Sequence, residues 1–305
     1  MRDERRGGIV KKCRLLAALV VVLCAAESLQ AQTPLKWKFK EGEKFYVKSE
    51  ETTKQTIEYA QSRMVGESKV MLVHAFTVKK VSKDGAVLEQ TIESAEIKHS
   101  TDEKESDHLA EVLKDSTFTL TLDAAGALTK YEGYDQLLGK FGKLSESVAK
   151  SVKATITPQS LRQPLEQLFS FAPDKPVKQG DSWTRDLVVS FAPLGSFKTQ
   201  NKYTHTGKGS GEGQGKTIAI ELAPNVVFAA SSAPSDLPFK VLSGEFKATD
   251  AKGTIAFDSD TGRTLRLDLS AKIKGDLTIE AGGKENKSGV EFEQTLHMQV
   301  LDKAP

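Results

Sequence analysis

Apolar and polar residues alternate along most of this chain, as they do in β-strands that have one face in a core and the other in water. The clearest run covers positions 69–81, in which five residues share one phase: Val70, Leu72, His74, Phe76 and Val78. A second run starts at Gly85, and Lys83-Asp84-Gly85 between the two is typical of a hairpin turn. The pattern predicts a mainly β protein with antiparallel strands.

Shorter runs of the same kind predict further strands: Phe118–Leu122, Leu187–Phe191, Phe197–Tyr203, Ile218–Ile220, Phe239–Phe246, Ile255–Phe257, Leu265–Leu269, Leu277–Ile279 and Val290–Leu301. Pro224–Pro238 is rich in Ala, Ser and Pro, which predicts a long loop. Strands therefore account for most of the chain on both sides of its middle.

Helical spacing is found mainly in the middle, over about residues 134–170. Apolar residues at intervals of one, three or four predict an amphipathic helix over Tyr134–Val152. A second, short helix is predicted to begin at Pro158, and a third, very polar one over Asp102–Lys114. The fold class expected is therefore mainly β (α+β), with a central helical segment.

Two short motifs recur in the same order on either side of this segment. Residues 39–45 align with residues 177–183 through Gly42-Glu43 and Gly180-Asp181, and the turn at Asp123 aligns with that at Asp258. These matches favour an internal duplication, although any series of strands offers such turns by chance. We therefore predict two similar antiparallel curved-sheet halves, a first at residues 32–172 and a second at 173–305.

The first 31 residues predict export. Six basic residues precede a 12-residue apolar run, Leu15–Ala26, and Ala31 stands at a plausible cleavage point, with Ser28 as the alternative. The apolar run is shorter than the roughly 20 residues that span a bilayer. We expect a signal peptide at residues 1–31 and a periplasmic or extracellular protein. The alternative is an uncleaved segment that anchors the chain in the inner membrane.

Removing residues 1–31 changes the charge and the cysteine content. The chain has 43 basic and 41 acidic side chains, and cleavage after Ala31 leaves 37 and 38. A near-neutral surface with mixed charges argues against nucleic acid as a partner. Both cysteines, Cys13 and Cys24, lie in the removed segment, so the rest of the chain can form neither disulfides nor thiolate metal sites.

Three segments resemble functional motifs but fit structural roles better. Gly207–Thr217 ends like a phosphate-binding loop but has Ser210 where that motif needs glycine, so we expect a hairpin tip. His99–His108 places carboxylates between two histidines, and a metal could use His99, Asp102, Asp107 and His108, but the segment is typical of a solvated loop or helix start. Asp258–Gly262 begins like a calcium loop yet lacks its later ligands, which predicts a turn.

Catalytic patterns are also missing. Residues 32–305 contain no cysteine and no nucleophile or zinc-protease motif, and Glu50 and Glu51 are adjacent in a strand and hence point to opposite faces. The sequence assigns no catalytic, cofactor-binding or metal-binding residue and implies no cofactor. The chain's 14 phenylalanines are spread over residues 39–292, where they either fill a core or leave an apolar pocket on a concave sheet face.

The opening Leu35–Phe45, the central Phe118–Gly126 and the later Gly180–Trp183 together resemble an uncharacterised family of bacterial secreted proteins. That resemblance implies no activity and no site residues. In architecture alone, a curved sheet with helices is similar to periplasmic lipoprotein carriers. We therefore expect a non-catalytic binding or structural module of the bacterial cell envelope, whose partner is an apolar small molecule, a lipid or an envelope protein. The alternative is an extracytoplasmic hydrolase with an unrecognised carboxylate or histidine site.

Overall fold

The structure of the protein, a computed structural model, describes residues 32–59, 62–100, 103–191, 194–209, 217–230 and 239–305. Its strands are Lys44–Tyr59 (β1), Ser62–Ser82 (β2), Gly85–His99 (β3), Thr117–Asp123 (β4), Leu128–Glu132 (β5), Ser182–Phe191 (β6), Gly195–Lys208 (β7), Thr217–Ala230 (β8), Lys240–Asp258 (β9), Arg263–Ala281 (β10) and Lys284–Leu301 (β11). The predicted signal peptide, residues 1–31, lies outside the described residues.

All of these strands belong to one curved antiparallel sheet in the order β5-β4-β3-β2-β1-β11-β10-β9-β8-β7-β6. The mainly β prediction is confirmed. The strands of the two predicted halves meet where β1 pairs with β11, in a register that runs from Tyr46 opposite Leu301 to Glu58 opposite Gly289. The halves therefore share a single sheet.

Several strands are longer than their apolar runs predict. β9 contains both Phe246 and Ile255, which belong to two separate predicted strands, and β10 likewise joins two predicted strands. The predicted loop over Pro224–Pro238 is wrong for residues 224–230, which continue β8, while 231–238 lie outside the described residues. Pro224 lies opposite Asn201 of β7, beyond Leu222, where the pairing of β8 with β9 ends. The strand has no β9 neighbour at this point, so the missing N–H of proline breaks no hydrogen bond to β9.

The helices are Glu103–Leu113 (α1), Tyr134–Lys140 (α2), Glu146–Thr155 (α3) and Pro158–Phe169 (α4), with a short 3₁₀ turn at Phe141–Lys143. The single helix predicted over Tyr134–Val152 is therefore wrong. Extended backbone at Leu144 and Ser145 divides it. The helix predicted to start at Pro158 is confirmed, and a capping box between Thr157 and Ser160 fixes its first turn.

We call the sheet face that carries the helices the inner face and the opposite one the outer face. A row of aromatic rings joins the sheet to α4, and we call it the aromatic wall: Trp37, Phe45, Phe76 and Phe169. The Phe45 and Phe76 rings stack at 5.1 Å between centroids, and Phe169 meets Trp37 at 4.7 Å and Phe76 at 5.8 Å. Phe45, Phe76 and Phe169 have no solvent exposure, so this part of the inner face is fully packed.

A smaller, separate core lies on the second half of the sheet. It contains the buried side chains of Val241, Leu277, Ile279 and Val290, and Phe246 packs against it. Among the described residues, none from a helix belongs to this cluster. The inner face thus carries two apolar regions, and only the larger lies under helices.

The two turns that align in sequence have the same backbone geometry. The N–H of Gly42 donates to the carbonyl of Val78 at 2.9 Å, and the N–H of Gly180 donates to that of His205 at 2.8 Å. Both glycines have positive φ, 80° and 91°, which favours glycine at these positions. The duplication of the two halves stays a prediction.

Candidate functional site

A cavity of about 370 Å³, which we call the inner cavity, lies between the inner face of β1–β3 and β11 and the helices α1 and α4. Its apolar lining consists of Val70, Leu72, Ile92, Ile97, Leu109, Leu113, Ile156, Leu161, Pro164, Leu165, Leu296 and Met298. The volume falls within the range of about 300–1,000 Å³ that is usual for small-molecule pockets. Apolar ligands bind to surfaces of this kind.

The side chains reach the cavity through regular strand and helix spacing. Leu109 and Leu113 are four residues apart in α1, as are Leu161 and Leu165 in α4, so each pair projects from one side of its helix. Ile92 and Ile97 are five residues apart and would lie on opposite faces of a regular strand. A register shift opposite Val73 and His74 brings both isoleucines to the inner face.

Three polar side chains form a chain of hydrogen bonds in the wall of the cavity. The Tyr131 hydroxyl donates to Gln90 Oε1 at 3.3 Å, and Gln90 Nε2 lies 2.9 Å from His74 Nδ1. Gln90 and His74 are both buried. Such buried polar groups fix positions within an otherwise apolar surface.

Burial keeps these groups uncharged. Desolvation lowers the pKa of His74 from 6.5 to about 4, so its imidazole is neutral near pH 7. Burial likewise raises the pKa of the Tyr131 hydroxyl above its usual value, which keeps the phenol protonated. The chain of hydrogen bonds is therefore neutral from end to end.

A carboxyl group lies farther along β1. Glu51 lines the cavity, and Gln294 Nε2 donates to its Oε1 at 2.6 Å. Burial raises the pKa of Glu51, more than the hydrogen bonds from Gln294 and Thr53 lower it. Its neighbour Glu50 faces outward and pairs with Lys69 at 2.6 Å, so the prediction that these two carboxylates point to opposite faces is confirmed.

The inner cavity begins where the aromatic wall ends. Along β2, Phe76 is part of the wall, and the next inward-facing residues, His74, Leu72 and Val70, line the cavity. Leucine and valine are too short to close the space that the phenylalanine rings fill beside them. The two alternatives for the phenylalanines, a filled core and an open apolar pocket, are therefore both present on adjacent parts of one face.

The histidine-rich segment is not assembled into a metal site. His99 lines the inner cavity, where burial lowers its pKa, whereas Asp107 and His108 are exposed on α1. Asp102 lies outside the described residues. Within the ranges that the structure describes, no three His, Cys, Asp or Glu residues are grouped so that they could hold a metal ion.

The other two segments have structural positions. Gly207–Thr217 joins β7 to β8, which pair as antiparallel neighbours, as a hairpin requires, and its residues 210–216 lie outside the described residues. Asp258 closes β9 in a turn, where its Oδ1 accepts hydrogen bonds from the backbone N–H of Asp260 and Thr261. The predicted turn is confirmed, and Gly262 completes it with a φ of 65°.

A second depression, which we call the outer groove, lies on the outer face and has a volume of about 650 Å³. Its lining combines polar residues with a few apolar ones: Lys202, Thr204, Glu221, Lys252, Thr254, Asp268, Ser270, Thr295 and His297, together with Leu222, Ala223, Gly253 and Leu269. His297 Nδ1 lies 2.6 Å from Asp268 Oδ1, and Arg266 Nε lies 2.5 Å from Oδ2 of the same carboxylate. These hydrogen bonds lower the pKa of Asp268 against the opposing effect of its partial burial.

Sequence reasoning missed the group formed by His74, Gln90 and Tyr131. These residues belong to three different strands, and alternation identified only His74 as sharing the phase of its apolar neighbours. Gln90 is a polar residue at an inward position of β3, between Leu88 and Ile92. A glutamine at a position where the alternation calls for an apolar residue is the signal that could have identified it.

Residues 67–211 match the model of a family of unknown function (DUF6263), just under half of the chain. The matched part includes all the helices of the described residues, strand β3 and most of β2, whereas β1 and β11 lie outside it. The resemblance to an uncharacterised family is thereby confirmed at this coarse level. No curated protein matches the chain.

Among solved structures, the chain is similar to lipovitellin, from a structure of its lipid–protein interactions, with a TM-score of 0.42 and 9% identity over 88% of the chain. It spans only 26% of the lipovitellin chain. The outer membrane protein OprG from Pseudomonas aeruginosa has a TM-score of 0.25 and 6% identity, covering 85% of this chain and 95% of OprG. An outer membrane channel from Pseudomonas putida F1 has a TM-score of 0.22 and 8% identity, covering 87% and 98%. These likenesses do not bear on function.

Within the described part of the chain, no helix has both the length and the apolar character that crossing a membrane requires.

Proposed function

We propose that the protein is an exported binding module of the bacterial cell envelope that holds an apolar or amphiphilic small molecule in the inner cavity. The observation that supports this most directly is the cavity itself, about 370 Å³ of space between the sheet and α4, with a mainly apolar lining that contains a few polar side chains. Export rests on the basic and apolar pattern of residues 1–31. A binding role needs no catalytic group, and the neutral side chains of the cavity suit it.

The position of the cavity adds to this argument. In the aromatic wall beside it, Phe45, Phe76 and Phe169 are fully buried and their rings are in contact, so no comparable space is left there. Leaving an apolar space of this size open costs stability, by about 24 cal/mol per Å³ in cores that have been measured. A ligand that fills the space would recover part of that cost.

Binding can be tested with one tryptophan variant and its matched control in strand β2. Val70→Trp places an indole in the inner cavity, whereas Val65→Trp places one on the same strand in the opposite phase, at a position that is 46% exposed. The apolar dye N-phenylnaphthylamine should bind to the wild type and to Val65→Trp, with an increase in fluorescence. We expect Val70→Trp to lose that increase.

Native mass spectrometry of protein purified from its own cell envelope gives the second readout. Lipid extraction should recover an apolar molecule from the wild type and from Val65→Trp but not from Val70→Trp. Leu161→Trp fills the cavity from α4 and should cause the same loss. Agreement between the two variants would show that the loss does not come from misfolding of one of them. Absence of both dye binding and a copurified molecule in the wild type would contradict the proposal.

The alternative of a hydrolase has one observation in its favour, the His297–Asp268 pair in the outer groove. A carboxylate that orients a histidine is the arrangement of many general bases. Among the described residues, no serine or threonine hydroxyl forms a hydrogen bond with His297, so a water molecule would have to be the nucleophile. Hydrolysis of nitrophenyl esters or glycosides that disappears in His297→Gln would favour this alternative.

A further inference from the structure

We infer that the ligand of the inner cavity has a neutral carbonyl head group whose oxygen accepts a hydrogen bond from His74 Nε2. This inference rests on the proposed function and specifies its ligand class, a medium-chain acyl ester or amide. It follows from the direction of the hydrogen bonds among Tyr131, Gln90 and His74, and from the charges that surround the cavity.

The first step fixes the orientation of the Gln90 amide. The Tyr131 hydroxyl is a protonated donor, and Gln90 Oε1 is its acceptor. In this orientation the hydroxyl proton of Tyr131 has an acceptor within the protein. Gln90 Nε2 therefore donates to His74 Nδ1 at 2.9 Å.

The second step places the proton of His74. A neutral imidazole carries one N–H, and because Nδ1 accepts from Gln90, the proton lies on Nε2. Within the residues that the structure describes, Nε2 has no hydrogen-bond partner, although His74 is only 8% exposed. His74 Nε2 is not one of the buried atoms that lack a partner, so it is reachable from the inner cavity, and a donor at an apolar space gains from an acceptor placed there. Since His74 lines the inner cavity, the acceptor it needs can come from a molecule bound there.

The third step uses the charges around the cavity to exclude ionic head groups. The described lining of the cavity contains no lysine or arginine, and its one carboxyl group is Glu51. An anionic head would be buried without a positive partner, which is strongly unfavourable. A cationic head has no lone pair to accept from His74 Nε2. A neutral carbonyl accepts the hydrogen bond and brings no charge into the cavity.

The inner cavity is long enough for the two ends of the ligand to lie beside different residues. His74 lies opposite Val47, and Val70 lies opposite Glu51, so these positions are four residues apart along β2. At about 3.4 Å per residue the separation is roughly 14 Å. Leu72 and Val70 follow His74 on the way to Glu51, and the acyl chain would lie along them.

The test compares methyl decanoate with undecane, which has a similar length but no carbonyl. Displacement of N-phenylnaphthylamine measures both affinities. We expect the wild type to bind the ester roughly tenfold more tightly than the alkane, the effect of one hydrogen bond. His74→Leu should bind both equally, and decanoate and decyltrimethylammonium should bind the wild type more weakly than the ester.

The outcomes separate the two proposals. Equal binding of ester and alkane by the wild type would overturn the carbonyl inference and leave the apolar binding function intact, whereas failure of both to bind would overturn the function as well. The ¹⁵N chemical shifts of His74 give a test that does not depend on any variant folding. We expect the tautomer protonated at Nε2 at pH 7, and protonation at Nδ1 would overturn the inference.

Discussion

The inner cavity and the outer groove lie on opposite faces of the same sheet, and their polar groups differ in charge and in hydrogen bonding. Strand β11 contributes to both, with Leu296 and Met298 facing the cavity and Thr295 and His297 facing the groove. In the groove, His297 pairs with an ionised Asp268 in water. In the cavity, His74 is neutral, and its Nε2 has no partner among the residues that the structure describes.

The difference indicates what each surface can do. In the groove the protein's own charges satisfy one another, and exposed ion pairs contribute little to stability. In the cavity the low dielectric removes charge and makes every unpaired donor costly. A hydrogen-bonding ligand therefore gains more in the cavity than in the groove.

The largest expected effect distinguishes the packed inner face from the outer face. Phe76→Ala should lower the free energy of unfolding by about 3–5 kcal/mol, because it leaves a hole between Phe45 and Phe169. Thr77→Ala, the next residue and in the opposite phase, should change it by less than about 1 kcal/mol. Urea unfolding measures both. Equal costs at the two positions would contradict the packing described for the aromatic wall.

The next effect is the pH dependence contributed by His74. Its pKa is about 4 in the folded protein and 6.5 in the unfolded chain, so between these values the unfolded chain binds more protons. The stabilisation is complete above pH 6.5 and is lost as the pH falls to 4, by roughly 3 kcal/mol. In His74→Leu the fall in unfolding free energy over this range should be smaller by that amount. Parallel pH profiles for the two proteins would show that His74 is not buried as a neutral group.

Much of the difference between the two faces of the sheet could be predicted from the sequence. Alternation placed Val70, Leu72, His74 and Phe76 on one face, and it assigned Glu50 and Glu51 to opposite faces. These are local properties, because strand geometry has a period of two residues. The helix at Pro158–Phe169 was also predictable, since its apolar residues have regular helical spacing, and the very polar helix at Glu103–Leu113 was predicted with nearly the same bounds.

The cavity could not be predicted, because it depends on contacts between distant parts of the chain. Gln90 meets His74 across a hairpin and Tyr131 from β5, and the latter pair is 41 residues apart. The register shift that turns both Ile92 and Ile97 inward breaks the period of two on which the prediction relied. The division of the predicted helix at Leu144 likewise reflects packing that local spacing does not encode.

A smaller effect separates two adjacent carboxyl groups. The pKa of Glu51 is raised by burial, so the folded state holds its proton more tightly, and its contribution to stability falls as the pH rises through the folded value. The pKa of Glu50 is lowered, mainly by its hydrogen bond with Lys69, so its contribution is lost as the pH falls. Above about pH 4.5, Glu51→Gln should therefore make the unfolding free energy rise more steeply with pH, and below about pH 4.5, Glu50→Gln should make it rise less. Changes of the same sign in both variants would contradict their assignment to opposite environments.

The smallest effect is expected in the outer groove. His297→Gln keeps a polar side chain opposite Asp268 and removes an exposed pair, so the free energy of unfolding should change by less than about 1 kcal/mol. Binding of N-phenylnaphthylamine should not change, because His297 and the inner cavity lie on opposite faces of β11. Whatever change occurs should shrink further in high salt, since exposed charges are screened. A loss of dye binding in His297→Gln would place the ligand in the groove, and the contrast between the two faces would then have to be reversed.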